Sequence, residues 1–407
     1  MASTNAPTAS SLCPAAGLQV TGLPTAGLPI GSLPSSARPH SVWGASDAGL
    51  SVRTDWSSDY GDTPLHADLP PTLQEENSDS EGSDISRSLV KSLRSGRRHT
   101  CSRVQASGKP INLGVHSIQN MRLEMEDAHF AVLGAEGTST SSCSCSLDSW
   151  AEAPPLGHLS YFAVFDGHGG ARAAEFCAER LYKLLVDHSK KVKKEPIEAL
   201  RAAFLQTEEE WLTEARENEW MDGTTAAAVL VDRGARTCVV GNVGDSEVLL
   251  GTRDSSGKLT HKILTEVHHL KRSQAEVERI QGMGGRIWRN RLGHTKISPQ
   301  VLSLAVSRAI GDIFFKDEKF TGGAPTGLTA EPFIACTMLE EQSSAAEQFL
   351  LIGCDGLWDT IPPNESVEFV FSHLSKGVPA QKISEDLVQL ARSTGSSDNI
   401  TVILAVL

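Results

Sequence analysis

The sequence predicts an α/β domain in which antiparallel sheets are covered by amphipathic helices. Eight short apolar runs rich in Val, Ile and Phe predict strands, and they lie at 111–118, 128–133, 160–165, 225–231, 237–243, 247–251, 348–353 and 400–406. Several runs are joined by short polar links, the pattern of hairpins and antiparallel pairing. Segments between the runs carry apolar residues at helical spacing. Sheets covered by such helices form a layered domain.

The clearest hairpin joins the runs 225–231 and 237–243. The link between them begins with Asp232, Arg233 and Gly234, which are residues that favour a turn. These two runs are therefore expected to pair as neighbouring antiparallel strands.

Three segments carry an apolar stripe at helical spacing, and a fourth begins with a capping signal. The stripes consist of Ala173, Phe176, Cys177, Leu181, Leu184 and Leu185, then Leu200, Phe204, Trp211 and Leu212, and then Ile383, Leu387 and Leu390. Ser273 followed by Glu276 matches a capping box, which predicts a helix that carries Val277 and Ile280.

Composition divides the 407 residues into a tail and one folded domain. Residues 1–108 are rich in Ser, Pro, Ala, Gly and Thr, and their leucines are too isolated to form a stripe, so we expect a disordered tail. The folded domain is then 109–407. Within it, the polar stretch 136–157 is predicted to be an insertion between two strands.

Charge and cysteine usage narrow the class of partner and the compartment. The formal net charge of −13 argues against nucleic acid as a partner, because phosphate-backbone affinity depends on clustered Lys and Arg. No apolar run approaches the ~20 residues of a membrane span. Eight scattered cysteines indicate reduced thiols, hence a cytoplasmic or nuclear protein. A plastid transit segment is the alternative, since Ser, Thr and Ala are abundant before Ala45 and Asp and Glu are absent there.

Four acidic elements lie beside apolar runs that are far apart in the chain. Asp166-Gly167 and Asp355-Gly356 each follow an apolar run, and the segments 122–127 and 396–399 supply further carboxylates. One Asp-Gly step alone is usually a turn. Four such elements together favour an oxygen-ligand site for a hard divalent cation.

The same elements, in the same order, resemble those of the metal-dependent Ser/Thr protein phosphatases, the type 2C or PPM family. The motifs that carry the resemblance are R-L-E-M-E-D-A-H (122–129), F-D-G-H-G-G (165–170), D-G-T-T-A (222–226), N-V-G-D-S (242–246), L-A-V-S-R-A-I-G-D (304–312), C-D-G-L-W-D (354–359) and S-D-N-I-T-V (397–402). They extend from about Ile111 to Leu407. The resemblance implies a four-layer α-β-β-α sandwich of two antiparallel sheets flanked by helices.

The resemblance also implies an activity and its cofactors. The expected reaction is hydrolysis of phosphoserine and phosphothreonine in phosphoprotein substrates by a metal-activated water, without a phosphoenzyme intermediate. Two Mg²⁺ or Mn²⁺ ions are expected, and a third cation is an open possibility. We expect the enzyme to be a monomer.

Roles for individual residues follow from their positions in the family's motifs. Asp166 would bridge both ions, the Gly167 carbonyl would bind one, and Glu126, Asp355 and Asp398 would bind the other. Asp127 would hold a water bound by an ion. Asp245 and Asp359 lie where relatives hold a third, weaker cation, although Asp245 in G-D-S is equally explained as a turn acceptor.

Two basic residues complete the implied site. His168 is suited to donate the leaving-group proton, because imidazole changes charge near neutral pH. Arg122 would bind the phosphate with its planar guanidinium. Its alternative is a surface ion pair with Glu124 or Glu126.

The same sequence argues against other classes of phosphatase and against a catalytically dead scaffold. None of the eight cysteines has an Arg six positions later, and D-x-D-x-T is absent, which excludes Cys-based and aspartyl-phosphate enzymes. Asp166-Gly-His168 fits the first element of a calcineurin-like phosphoesterase, but G-N-H-D and G-N-H-E are absent. A catalytically dead scaffold usually lacks a metal carboxylate. Here all the expected metal carboxylates are present. The sequence departs from the family's pattern at Glu247 and in the segment 264–270, and both lie outside the expected metal ligands.

The resemblance implies that the segment 285–304 forms a flap near the active site. Arg289, Arg291 and Lys296 are candidates for binding acidic or multiply phosphorylated substrates, with a solvated basic loop as the alternative. Trp288 is a candidate for contact with a partner.

Overall fold

The computed structural model describes residues 111–134, 143–145, 156–340 and 346–407. The predicted tail 1–108 and nearly all of the predicted insertion 136–157 therefore lie outside the described residues. The strands are β1 (Asn112–Ile118), β2 (Ala128–Val132), β3 (Cys143–Cys145), β4 (Ser160–Phe165), β5 (Gly167–His168), β6 (Gly223–Thr224), β7 (Ala226–Asp232), β8 (Thr237–Val243), β9 (Glu247–Arg253), β10 (Leu259–Ile263), β11 (Arg286–Trp288), β12 (Arg291–Gly293), β13 (Ser303–Leu304), β14 (Ile310–Gly311), β15 (Phe333–Met338), β16 (Glu347–Gly353) and β17 (Ile400–Val406). The helices are α1 (Arg172–Asp187), α2 (Ser189–Lys194), α3 (Pro196–Asn218), α4 (Gln274–Gly282), α5 (Ile313–Lys316), α6 (Glu318–Thr321), α7 (Asp355–Trp358), α8 (Pro363–Leu374) and α9 (Ala380–Ser393).

Two large antiparallel sheets contain all eight runs that were predicted as strands. One sheet has the order β1-β17-β16-β9-β10, and the other has the order β15-β8-β7-β4-β2-β3. The predicted hairpin is confirmed, since β7 pairs with β8 and the Asp232 carboxylate accepts a hydrogen bond from the Ala235 amide at 2.8 Å.

The alternation of side chains along each strand builds the layers. In β4, Tyr161, Ala163 and Phe165 pack against α1 and α3, in a core that includes Leu181, Phe204 and Trp211. The residues between them, Phe162 and Val164, pack against the other sheet. A strand buried on both faces reads as a continuous apolar run, and β4 does so.

The second sheet repeats this arrangement on the opposite side. In β17, Ile400, Val402 and Leu404 pack against α8 and α9. Ile403 and Ala405 face the other sheet, which contains β4. The order of layers is thus helices, sheet, sheet, helices. The predicted four-layer α-β-β-α sandwich is confirmed.

The predicted helices are present, and the capping box is formed only in part. At the start of α4 the Ser273 hydroxyl accepts a hydrogen bond from the Glu276 amide at 3.3 Å. In a complete box the Glu276 carboxylate would bond back to the cap residue. Here it is buried and accepts hydrogen bonds from Arg308 at 2.7 Å, Arg279 at 2.8 Å and Ser307 at 2.5 Å. Glu276 therefore ties α4 to the segment that precedes β14.

Replacing Glu276 is expected to destabilise the domain strongly. Because Glu276→Gln removes the buried charge that pairs with two partly buried guanidinium groups, we expect a loss of about 3 kcal/mol in the free energy of unfolding. Hydrogen bonds from the two arginines hold the pKa of Glu276 well below its usual 4.5, despite burial, so its stabilisation is present above pH 4.5 and is lost as the pH falls. Urea titrations at pH 7 and pH 3.5 test this, with the exposed Glu278→Gln on the same helix as control. An equal effect of both variants would contradict it.

The basic segment 285–304 contains a small antiparallel sheet, β11-β12-β13. Arg289 and Asn290 both have positive φ at the turn between β11 and β12, and the Arg289 guanidinium lies over the Trp288 ring at 4.7 Å. Arg291 donates to the carbonyl of Ser303 at 2.8 Å. That the segment 285–304 acts as a flap and influences substrate choice stays a prediction.

None of the described helices has an apolar stretch of the length that a bilayer requires.

Candidate active site

Strand register brings the four acidic elements to one edge of the sandwich. Ala128 at the start of β2 is opposite Phe165 at the end of β4, so Asp127 and Asp166 are neighbours. In the other sheet, Gly353 at the end of β16 is opposite Val402 and Glu247. This pairing places Asp355 close to the segment before β17 and to the segment before β9. Residues distant in sequence therefore meet because antiparallel strands begin and end at this edge.

The tightest group of possible metal-binding atoms belongs to Asp127, Asp166 and Cys354, whose ligand atoms all lie within 4.8 Å of one another. Oδ2 of Asp127 accepts a hydrogen bond from the Thr401 hydroxyl at 2.7 Å. Its other oxygen, Oδ1, is buried and makes no well-aligned hydrogen bond. A buried carboxylate oxygen without a donor is suited to a cation or to a water bound by one.

Cys354 was not among the predicted site residues. Its thiol accepts a hydrogen bond from the Thr401 amide at 3.2 Å and donates to the Asn399 carbonyl at 3.5 Å. Burial, together with the nearby carboxylates, raises the pKa of the thiol well above its usual value. The thiol is therefore neutral at physiological pH and fixes the segment 399–401 beside the acidic group.

Mutual repulsion among carboxylates dominates the electrostatics of this edge. Burial raises the pKa of Asp166 well above its usual value, and the charges of Asp355, Asp127, Asp245 and Asp398 raise it further. For the same two reasons the pKa of Asp355 is raised to about 8. Burial likewise raises the pKa values of Asp127 and Asp245 to about 6. So many carboxylates, buried or half-buried and close together, are stable as anions only beside positive charge, and hard divalent cations fit this oxygen-rich donor set.

Glu126 and Gly167 contact each other at the edge of the sheet that contains β2 and β4. The Gly170 amide donates to the Glu126 carboxylate at 2.6 Å. A Cβ on Gly167 would lie 2.4 Å from the Glu126 carbonyl, so only glycine fits there. Glycine therefore permits the close approach of the Glu126 backbone at this position.

Arg122 contacts one of the predicted metal carboxylates. It lies in the segment 119–127 between β1 and β2, which we call the arginine loop, and its Nη2 atom is 2.5 Å from Oδ2 of Asp398. The alternative ion pairs with Glu124 or Glu126 do not form. The Arg122 side chain is 52% exposed, so most of its donors face solvent at the rim of the site.

Asn399, another residue that was not predicted, holds the arginine loop in place. Its Nδ2 donates to the carbonyls of Gln119 at 2.8 Å and Glu124 at 3.0 Å, and its Oδ1 accepts from the Glu126 amide at 2.8 Å. The S-D-N-I-T-V motif included Asn399, but only the folded structure shows that its amide crosslinks two loops.

His168 is paired with Asp312, which sequence reasoning did not assign. His168 Nε2 lies 2.9 Å from both carboxylate oxygens of Asp312. Burial alone would lower the pKa of His168, but the charge of Asp312 and its hydrogen bond outweigh burial, so the pKa is raised. Pairing of β5 with β6 and of β6 with β14 brings the two residues together. The sequence signal that could have identified Asp312 was its position as the final residue of the motif at 304–312.

Asp245 and Asp359 are neighbours of a tethered arginine. Asp359 adds to the burial effect that raises the pKa of Asp245, whereas Arg272 opposes it. Arg272 is held by Glu247, with Nη2 2.5 Å from Oε1. Glu247, where the sequence departs from the family's pattern, therefore forms an ion pair with Arg272, and the Arg272 side chain is 40% exposed.

Comparison with known proteins gives a uniform result. The sequence profile of "Protein phosphatase 2C" matches residues 111–400. The chain is 30% identical over 313 residues to human "Protein phosphatase 1A", covering 74% of this chain and 72% of that protein. It is 32% identical over 297 residues to mouse "Protein phosphatase 1F", covering 72% of this chain and 57% of that protein.

A solved structure supports the fold. The crystal structure of serine-threonine phosphatase 2C from Toxoplasma gondii matches with a TM-score of 0.53 at 19% identity, covering 74% of this chain and 96% of that one. At this identity the match supports the architecture alone.

Proposed function

Because the chain belongs to the protein phosphatase 2C family, it is a protein serine/threonine phosphatase, and we propose that it hydrolyses phosphoserine and phosphothreonine with a metal-activated water and no phosphoenzyme intermediate. The observation that carries the proposal is the group of buried and half-buried carboxylates around Asp166. Their raised pKa values are the expected result of anions assembled to bind cations.

We propose that two Mg²⁺ or Mn²⁺ ions bind here, with Asp166 shared by both. The Gly167 carbonyl would bind one ion, and Glu126, Asp355 and Asp398 the other. When bound, such ions supply an activated water and neutralise charge on the phosphoryl oxygens. Asp127 would hold water at the site through its free Oδ1. Asp245 and Asp359 would hold a third, weaker cation.

Arg122 is the proposed ligand of the substrate phosphate. Asp398 fixes its guanidinium through one nitrogen, and the remaining N–H groups are free to bind phosphoryl oxygens at the exposed rim. A planar guanidinium suits this task because it can donate two parallel hydrogen bonds to one phosphate.

His168 is the proposed proton donor to the leaving serine or threonine oxygen. Asp312 accepts the hydrogen bond from Nε2, which leaves Nδ1 to carry the proton that is transferred. Asp312 thereby orients the ring and favours its charged form.

A substrate panel tests the proposed function. We expect the full-length protein with added Mn²⁺ or Mg²⁺ to release inorganic phosphate from phosphoserine and phosphothreonine peptides and to leave phosphotyrosine peptides largely intact. Okadaic acid is included to identify contaminating phosphatases. Absence of phosphate release from every phosphoserine and phosphothreonine peptide would refute the proposal and favour a binding scaffold.

The raised carboxylate pKa values predict how stability depends on pH and metal. Between pH 3.8 and the raised pKa values the folded protein binds more protons than the unfolded chain, so stability falls as the pH rises toward 8. We expect the melting temperature of the metal-free protein to be lower at pH 8 than at pH 5, and Mn²⁺ to raise it more at pH 8. Asp355→Asn should flatten this pH dependence, whereas Asp187→Asn on the surface of α1 should not. A metal-free melting temperature that is constant from pH 5 to pH 8 would contradict the prediction.

A further inference from the structure

Two large apolar side chains stand in solvent on either side of Arg122. Met121 is 76% exposed and Leu123 is 98% exposed. Single exposed apolar residues are common on protein surfaces. These two differ because the residue between them is the proposed phosphate ligand, which contacts Asp398 in the candidate active site.

The backbone that carries Met121 and Leu123 is held at several points. Gln119 Nε2 donates to the carbonyls of Arg122 at 2.9 Å and Leu123 at 2.8 Å. Asn120, which has a φ of 52°, donates from Nδ2 to the carbonyl of Ser396 at 2.6 Å. Together with the three hydrogen bonds of Asn399, these contacts fix the arginine loop against the segment that precedes β17.

This arrangement keeps both apolar side chains exposed in the folded protein. A loose loop would turn Met121 and Leu123 toward the domain, where burial lowers the free energy. Here the hydrogen bonds of the loop backbone oppose such a collapse. A surface fixed before binding loses less conformational entropy when a partner covers it.

We propose that Met121 and Leu123 bind a bulky apolar side chain of the phosphoprotein substrate, located within two positions of the phosphorylated serine or threonine. The inference rests on the proposed function, because it places the substrate phosphate at Arg122. An extended peptide advances about 3.3 Å per residue, so positions one and two residues from the phosphate reach the neighbours of Arg122. The two side chains select the substrate, and the chemistry belongs to other residues.

Phosphothreonine peptides that differ in one flanking residue test the proposal. Each peptide of the first set carries a single Leu at one of the four positions that lie one or two residues from the phosphothreonine, and its counterpart in the second set carries Ser at that position. With the full-length protein we expect kcat/KM to be about tenfold higher for the Leu set. Replacing both residues (Met121→Ser with Leu123→Ser) should remove this preference through KM and leave the Ser set and p-nitrophenyl phosphate unchanged.

Two further variants separate selection from general effects. Met338→Ser removes another exposed apolar side chain, 61% exposed on the edge strand β15, and should keep the preference. Leu123→Met keeps the apolar surface and should also keep it. A melting temperature equal to that of the wild-type protein is the control for folding of each variant.

Several outcomes would overturn the proposal. Equal kcat/KM values for both peptide sets in the wild-type protein would show that no apolar selection exists. A double variant that is faster on every substrate would indicate that another segment of this chain covers the surface. A change in molecular mass on substitution would indicate a second copy. If the wild-type protein hydrolyses no peptide at all, the proposed function itself fails, and this result is distinct from hydrolysis without selection.

Discussion

Asp166→Asn is expected to reduce phosphatase activity by more than about 10³-fold, because it removes the carboxylate that we propose both ions share. Stabilisation of transition-state charge by bound metal is worth several kcal/mol, and about 1.4 kcal/mol corresponds to a tenfold change in rate. The loss should appear for phosphopeptides and for p-nitrophenyl phosphate alike. Initial rates at saturating Mn²⁺ measure it.

The stability of the same variant separates loss of function from loss of fold. Asp166 is surrounded by other carboxylates that raise its pKa, so removing its charge relieves repulsion. We therefore expect the metal-free Asp166→Asn protein to melt at the same temperature as the wild-type protein or higher. Asp187→Asn is the matched control and should retain full activity. An Asp166→Asn variant that keeps a tenth of the wild-type rate would disprove the bridging role.

His168→Ala is expected to slow phosphothreonine peptides by about 10²-fold or more and to slow p-nitrophenyl phosphate only slightly. An alkyl leaving group needs a proton as the bond to phosphorus breaks, whereas p-nitrophenolate is stable without one. The comparison of kcat on the two substrates measures this difference directly. Asp312→Asn should show part of the same pattern, since Asp312 holds the ring at 2.9 Å.

The control for this prediction is a histidine outside the site. His158 pairs with Asp232 at 3.0 Å near the hairpin between β7 and β8, and His158→Ala should leave both substrates unaffected. Removing His168 also leaves the buried Asp312 without its partner, so melting temperatures are needed for each variant. Equal losses on the alkyl and aryl substrates would show that His168 supports the structure or binds metal.

Local sequence patterns were sufficient to predict most of the sandwich. All eight apolar runs are strands. Those buried on both faces, such as β4, were the easiest to predict, because such a strand is apolar at nearly every position. The hairpin at Asp232 and the helix after Ser273 follow from turn and capping residues whose effects are local. The four-layer arrangement of two sheets depended on the family resemblance, and the order of strands was not predicted, since periodicity carries no information on which strands pair.

The residues missed at the candidate site act over long separations in sequence. Asp312 contacts His168 across 144 positions, and Asn399 contacts Gln119 across 280. Glu276 was predicted as a capping residue, but burial beside Arg279 and Arg308 gave its side chain other partners. Side-chain type and spacing cannot reveal such contacts, because strand pairing between distant segments creates them.

The dependence of phosphothreonine-peptide hydrolysis on added metal tests the central claim most directly. The full-length protein is treated with EDTA, dialysed, and assayed with and without Mn²⁺ or Mg²⁺, alongside Asp166→Asn. The account predicts that hydrolysis disappears without metal, returns in the wild-type protein when either metal is added, and does not return in the variant. Hydrolysis at the original rate by the metal-free wild-type protein would contradict it.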